Sequence, residues 1–198
     1  SATRASSNAV HGGAGVMRSM TSVQQKMYCK ALESALVAGH QVLASGGASL
    51  DAVTAAVVAL EDDPLFNAGR GAVYNAAGKH ELDASIMDGA TLRAGAVAAV
   101  SRIRNPVLAA RAVMDKSPHV LLAGKGAEEF AKNHSLALVS QSYFHTATRL
   151  KAWRKGAKRH HGTVGAVALD RRGDLAAATS SGGYTGKLGK SADGPLAP

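Results

Sequence analysis

Gly162-Thr163-Val164-Gly165-Ala166-Val167-Ala168-Leu169-Asp170 and, beyond the turn Arg171-Arg172-Gly173, Leu175-Ala176-Ala177-Ala178-Thr179-Ser180-Ser181-Gly182-Gly183 decide the fold. Residues 163–170 alternate and are rich in Val, so they read as a strand, and residues 175–179 read as the strand that pairs back. If 163–170 and 174–181 form a hairpin, Thr179 to Ser181 return beside Thr163. Small hydroxyls and bare glycine backbone then line a pocket suited to a developing oxyanion or a polar substrate. Thr163 itself stands at the start of a strand, behind Gly162 and a basic linker. Were the Gly162–Thr163 bond cut, one residue would carry both a hydroxyl and a free α-amine. An α-amine, with an unperturbed pKa of about 7.7–8.0, can serve as general base for the hydroxyl beside it. Taken alone, however, this segment reads as an ordinary strand threonine.

Upstream, residues 8–11 read as the end of a short strand, and Gly12-Gly13-Ala14-Gly15 as a loop of little bulk. Helical apolar spacing runs over residues 21–45 and ends at the Gly46-Gly47 pair. A second helix follows, with Ser49 as its expected cap, and Pro64 lies beyond its end. Asn67-Ala68-Gly69-Arg70-Gly71 is a tight loop. Residues 73–75 and 80–87 read as a hairpin around Ala77-Gly78, and residues 95–100 as another strand. Asn105-Pro106 opens a helix to about residue 116, and further helices are expected over 127–133 and 142–153. Residues 154–161 read as an exposed basic linker, and 181–198 as loop. The order is strand, helices, strands, helices, strands, which favours helices on an antiparallel sheet over alternating βαβ units.

Composition narrows the class. Hydrophobic residues make up 46% of the 198 and charged residues 19%, enough apolar material for a globular core. With aromatics at only 4%, that core must rest on small side chains. The net charge of +9 raises nucleic-acid binding as a reading. Yet Trp153 is the sole aromatic in the basic 151–161 stretch, so stacking platforms are scarce and no nucleic-acid partner is expected. No apolar run approaches the roughly 20 residues that span a bilayer, so no membrane partner is expected. Cys29 is the only cysteine and no targeting signal is visible, which gives a cytoplasmic expectation.

Other constellations are weaker. His11-Gly12-Gly13-Ala14-Gly15 matches neither a P-loop nor a dinucleotide-binding turn. Glu61, Asp62 and Asp63 precede the 67–71 loop at a helix C-terminus, where acids oppose the dipole, and this hints at a cation. His80, Glu81, Asp83 and Asp88 have no second histidine at ligand spacing, so no catalytic metal is expected.

His11-Gly12-Gly13-Ala14-Gly15, the stretch from Pro64 to Gly71, that from His80 to Gly89 and the 162–183 hairpin occur in this order. Together they resemble the plant-type L-asparaginase family, also called isoaspartyl peptidases, a family of N-terminal-nucleophile hydrolases; the resemblance runs from about residue 8 to 195. It implies an α+β fold, an αββα sandwich, here expected to lack its C-terminal strands. It implies a single incomplete domain, with residues 1–162 resembling the α subunit and 163–198 the start of the β subunit. It implies self-cleavage between Gly162 and Thr163, with His11, Gly12 and Gly13 bordering the scissile bond, and then hydrolysis of L-asparagine or β-aspartyl dipeptides by Thr163. Asn67 matches a residue near the nucleophile, and Ser181 stands where the family has a second active-site threonine. Gly183, Asp193 and Lys190 match substrate-binding positions, Lys190 in place of an arginine that clamps the α-carboxylate. No catalytic cofactor is implied. A structural sodium ion is expected on the backbone carbonyls of Leu60, Glu61, Asp63, Phe66, Ala68 and Arg70, and a homodimer of proenzyme units is expected. The competing reading is a catalytically inactive, truncated relative with a binding or regulatory role.

Overall fold

The computed structural model of the protein describes residues 5–13, 20–156 and 161–188. Its elements are β1 (Ser7–His11), α1 (Ser22–Ala44), α2 (Ser49–Asp62), β2 (Leu82–Asp88), β3 (Ala94–Val100), α3 (Pro106–Lys116), β4 (Leu121–Ala123), α4 (Gly124–Asn133), α5 (Ala147–Arg154), β5 (His161–Leu169) and β6 (Leu175–Tyr184). Short 3-10 turns cover Gly69–Gly71 and Gln141–Phe144. The six strands form one sheet in the order β1-β5-β6-β2-β3-β4, antiparallel throughout except for the β3–β4 pair.

Local signals account for the helix ends. Thr21 and Gln24 make a reciprocal capping box at the start of α1. At its end, Gly46 (φ +83°) donates to Leu43 O and Gly47 to Val42 O, a Schellman motif that needs the left-handed conformation glycine accepts freely. Helix α2 is capped differently from expectation. Ser49 is its first helical residue, and the cap acceptor comes from the far end of β5: Ser49 N donates to Asp170 Oδ2 at 3.0 Å. Burial pushes the Asp170 carboxyl up, but the backbone N–H groups of Ser49, Asp174 and Arg172, with the Arg172 guanidinium, outweigh that and hold it below the usual carboxylate range.

The helices cover one face of the sheet, α2 under β5 and β6, α3 under β2 and β3. Leu43, Val53, Val57, Leu60, Phe66, Leu82, Ile86, Val97 and Val164 fill the core between them. Alternation along the strands sends their other residues to an open face, where Thr163, Val167, Leu175, Thr179, Ser85 and Met87 are exposed. Among the described residues the architecture is therefore two layers, α on β. The second sheet and second helical layer of the expected αββα sandwich are not among them.

Four local expectations are corrected. Residues 73–75 form no strand: Asn75 Oδ1 accepts from Ala77 N and Lys79 N and closes a side-chain-held turn, so β2 begins only at Leu82. The helix expected over 142–153 is broken at His145, whose backbone is extended, and α5 restarts with Thr146 as its N-cap. Residues 181–184 are strand, because β6 goes on pairing with β5 there, Ser181 lying opposite Thr163 and Tyr184 opposite His161, while its pairing with β2 ends at Ser181 and Asp83. Strand β4 was not foreseen; three residues give too short a pattern to read.

Candidate active site

The hairpin register brings the hydroxyls together. Thr163 on β5 stands opposite Ser181 on β6, and Thr163 Oγ1 donates to Ser181 Oγ at 3.2 Å. The Ser181 oxygen also accepts from Gly183 N at 3.0 Å. Thr163 is exposed on the open face. The β5–β6 ladder is irregular between His161 and Thr163. Gly162 sits in that gap, and its carbonyl accepts from Asn67 Nδ2 at 2.9 Å.

Asn67 joins three segments. It is 4% exposed. Nδ2 also donates to Gly183 O at 2.6 Å, Oδ1 accepts from Val73 N at 3.0 Å, and the Asn67 carbonyl accepts from Gly182 N at 2.9 Å. One amide thus holds the carbonyl ahead of Thr163 and the backbone just past Ser181. No aspartate could do this, since only an NH₂ group offers two donors.

The His11-Gly12-Gly13 loop approaches from the other side. Gly13 has φ +112°, and a Cβ there would lie 3.0 Å from Gly162 Cα and 3.3 Å from Thr163 N. His11 pairs with Gly165 at the end of β1, and its imidazole lies over the Gly165 Cα. Thr163, Ser181, Asn67, Gly162, Gly183 and Gly13 therefore converge, with His11 at the margin, whereas Gly12 packs on Phe66 and Leu32. Lys190, Asp193, Ala14 and Gly15 lie outside the described residues.

The loop that carries Asn67 is held by residues the sequence did not single out. Arg149 Nε donates to Gly71 O at 2.8 Å and its NH2 to Leu65 O at 3.1 Å, carbonyls on either side of Asn67. Tyr28 Oη donates to Leu65 O as well. Burial pulls the Arg149 guanidinium below its ordinary pKa, and the nearby Tyr28 opposes this. In the sequence Arg149 is one basic residue among several before the linker, and no spacing distinguishes it. Lys187 is the other: 6% exposed, it lies against Gly183.

The acids before this loop are employed structurally, which removes them as a hint of a cation. Glu61 Oε1 accepts from Val107 N at the start of α3, Asp62 meets Arg104, Asn105 and Tyr143, and Asp63 Oδ1 accepts from Leu65 N. Full burial raises the Glu61 pKa to about 8, against the smaller lowering effect of its hydrogen bonds. The carbonyl donor set itself is compatible with a hard monovalent cation. Gly69 (φ +46°) packs so closely on Glu61 O that a Cβ would collide with it, so the loop folds back across the Glu61 carbonyl, while Ala68 O accepts from Gly71 N. Among the described residues no group of three or more His, Cys, Asp or Glu could hold a metal. His80 is buried among Tyr74, Phe144 and His145, and burial, then His145, lowers its pKa to about 4. Asp88 closes the turn after β2 by accepting from Ala90 N and Thr91 Oγ1.

Comparison with known proteins shows the family. The family model described as Asparaginase matches residues 6–160 and 155–197, and the chain belongs to that family. It is 51% identical to the isoaspartyl peptidase of Escherichia coli (strain K12), over 95% of this chain and 64% of that protein. It is 42% identical to the human isoaspartyl peptidase/L-asparaginase, over 94% of this chain and 63% of that one. A putative isoaspartyl peptidase/L-asparaginase of Dictyostelium discoideum is 41% identical, with 94% and 67% covered. The chain thus spans just under two thirds of the length of the bacterial and human relatives. No helix among the described residues is long and apolar enough to cross a membrane.

Proposed function

We propose that this chain is a self-processing amidohydrolase that uses Thr163, freed by cleavage of the Gly162–Thr163 bond, to hydrolyse L-asparagine or β-aspartyl dipeptides. The observation that carries this reading is the Asn67 amide on the Gly162 carbonyl, with the Thr163 and Ser181 hydroxyls in contact beside it.

In the processing step Thr163 Oγ1 attacks the Gly162 carbonyl carbon. Asn67 Nδ2 steadies the developing oxyanion, as a preorganised donor does. The hydroxyl proton passes through Ser181 toward the departing nitrogen. The C–N bond breaks as the ester forms, and water hydrolyses the ester to a Gly162 carboxylate and a Thr163 with a free α-amine. In turnover that amine takes the proton from Oγ1 as the oxygen attacks the side-chain amide of the substrate. Ammonia, or an amino acid from a dipeptide, leaves with the proton, and water then releases aspartate from the acyl-enzyme.

The names of the bacterial and human relatives support these substrates. Gly183, Lys190 and Asp193 are the residues proposed to hold the substrate. A sodium ion on the carbonyls of Leu60, Glu61, Asp63, Phe66, Ala68 and Arg70 would stiffen the Asn67 loop. The active form is proposed to be a pair of processed units. An inactive relative with a binding role is not favoured, because Thr163, Ser181 and Asn67 are all present and in register.

The test is the intact mass of the purified protein during several days at neutral pH, beside a Thr163→Ala control. Two fragments meeting at Gly162 and Thr163, absent from the control, are expected. An undivided chain in both samples would overturn the processing step. Absence of β-aspartyl dipeptide and asparagine turnover after cleavage would overturn the substrate assignment.

A further inference from the structure

The proposed mechanism leaves Lys187 unused, yet among the described residues it is a buried cation packed against Gly183 of the site. The turn that carries it is fixed by backbone bonds: Lys187 N donates to Tyr184 O, Gly186 N to Tyr74 O, and Ala76 N to Lys187 O, at 3.1, 3.0 and 2.8 Å. From there its side chain doubles back along Gly183. A Cβ on Gly183 would lie 2.7 Å from both Cδ and Nζ of Lys187, and Gly183 itself has φ +78°. The ammonium donates to Glu81 O at 3.1 Å and stands 3.9 Å from both Glu81 Oε2 and Asp83 Oδ2. Asp83 is the cross-strand neighbour of Ser181, and its Oδ1 accepts from Ala99 N at 2.8 Å.

Burying an ammonium costs free energy that an apolar side chain of equal length would not incur, unless its charge is matched. Here the match is with the start of β2, and the stem it anchors presses on one residue. Both peptide groups of that residue serve the site: Gly183 N donates to Ser181 Oγ at 3.0 Å, and Gly183 O accepts from Asn67 Nδ2 at 2.6 Å. The geometry points to Lys187 as a positioning residue that, through Gly183, sets the orientation of Ser181 and Asn67. It would act through Gly183 rather than on the scissile bond itself. This role rests on the proposed function of Thr163.

The test compares wild-type protein, Lys187→Met and Lys187→Arg, each in the full chain. Two readouts are taken: hydrogen exchange at the Gly183 amide with the side-chain amide resonances of Asn67, and the rate of Gly162–Thr163 cleavage by intact mass. In Lys187→Met, exchange at Gly183 should speed up by roughly tenfold or more, while core amides such as those of Val97 and Val164 change by less than about twofold. The Asn67 side-chain resonances should shift and cleavage slow by a similar factor, with partial return of both in Lys187→Arg. If Lys187→Met does not fold, Glu81→Gln, which removes one carboxylate from the ammonium, should give the same changes at smaller size. Unchanged Gly183 exchange and Asn67 resonances would overturn the role, as would a uniform increase across the core, which marks plain destabilisation. A wild-type chain that never cleaves refutes the reading of Thr163, whereas the exchange measurement still decides whether Lys187 positions Gly183.

Discussion

Replacing Asn67 by aspartate tests the site most sharply, because the two side chains have the same shape. Oδ1 can still accept from Val73 N, but the Nδ2 donor to Gly162 O (2.9 Å) and Gly183 O (2.6 Å) becomes an oxygen. Each part-buried carbonyl then loses its donor at about 1–3 kcal/mol, so Asn67→Asp should cost about 2–6 kcal/mol while the new carboxyl is ionised. That carboxyl, buried and facing two carbonyl oxygens, will have its pKa raised. As the pH falls it takes a proton and can donate to one of the two carbonyls, so roughly half the loss should return, as expected of one restored hydrogen bond. Urea melts in a Thr163→Ala background, in which no cleavage is expected, measure this at about pH 8 and about pH 5 against the Asn67 parent. In a chain with Thr163 intact, the same change should slow processing by about 10²–10³-fold, as loss of an oxyanion donor does. A cost under about 0.5 kcal/mol at the higher pH, within the range of an ordinary surface substitution, would refute the claim that Asn67 holds both carbonyls.

Two further outcomes follow from the packing. Glu61 holds its proton to about pH 8 when folded, against an ordinary 4.5. Below 4.5 both states are protonated; between the two values the unfolded chain sheds the proton and the folded one keeps it, so stability falls as the pH rises. The loss should approach ~1.4 kcal/mol per pH unit across that window. Glu61→Gln should abolish this slope in denaturant titrations, and parallel wild-type and variant curves would refute the buried neutral acid. Gly13→Ala places a methyl 3.0 Å from Gly162 Cα at φ +112°, and should destabilise by about 1–2 kcal/mol and slow processing. Unchanged melting and cleavage would show that this loop does not press on the scissile peptide.

Much of the site was legible because it is local in sequence. A hairpin joined by a short turn brings its two ends together, so the return of Thr179 to Ser181 beside Thr163 was legible along 163–181, and the sheet register sets Ser181 opposite Thr163. The alternation read along 163–170 is the one the structure shows, with Val164, Ala166 and Ala168 buried. The end of α1 was equally readable, since the Gly46-Gly47 pair acts within a few residues.

What failed to show were interactions between segments far apart in the chain. The cap of α2 is Asp170, 121 residues away from Ser49, so no local pattern at Ser49 reveals it. The turn at Asn75 reads as a hairpin because strand and turn residues share a composition, and only the side-chain bonds of Asn75 decide between them. Arg149 and Lys187 look like surface charges in any linear reading. A long basic side chain is placed by where its carbonyl and carboxylate partners fold, and those lie on the 65–71 loop and the start of β2. The sequence by itself determined the strand that carries Thr163, the hydroxyl-bearing segment it faces and the family. The tertiary structure alone decided which buried charges hold that hairpin in place, because burial and hydrogen bonding across distant segments exist only once the sheet has formed.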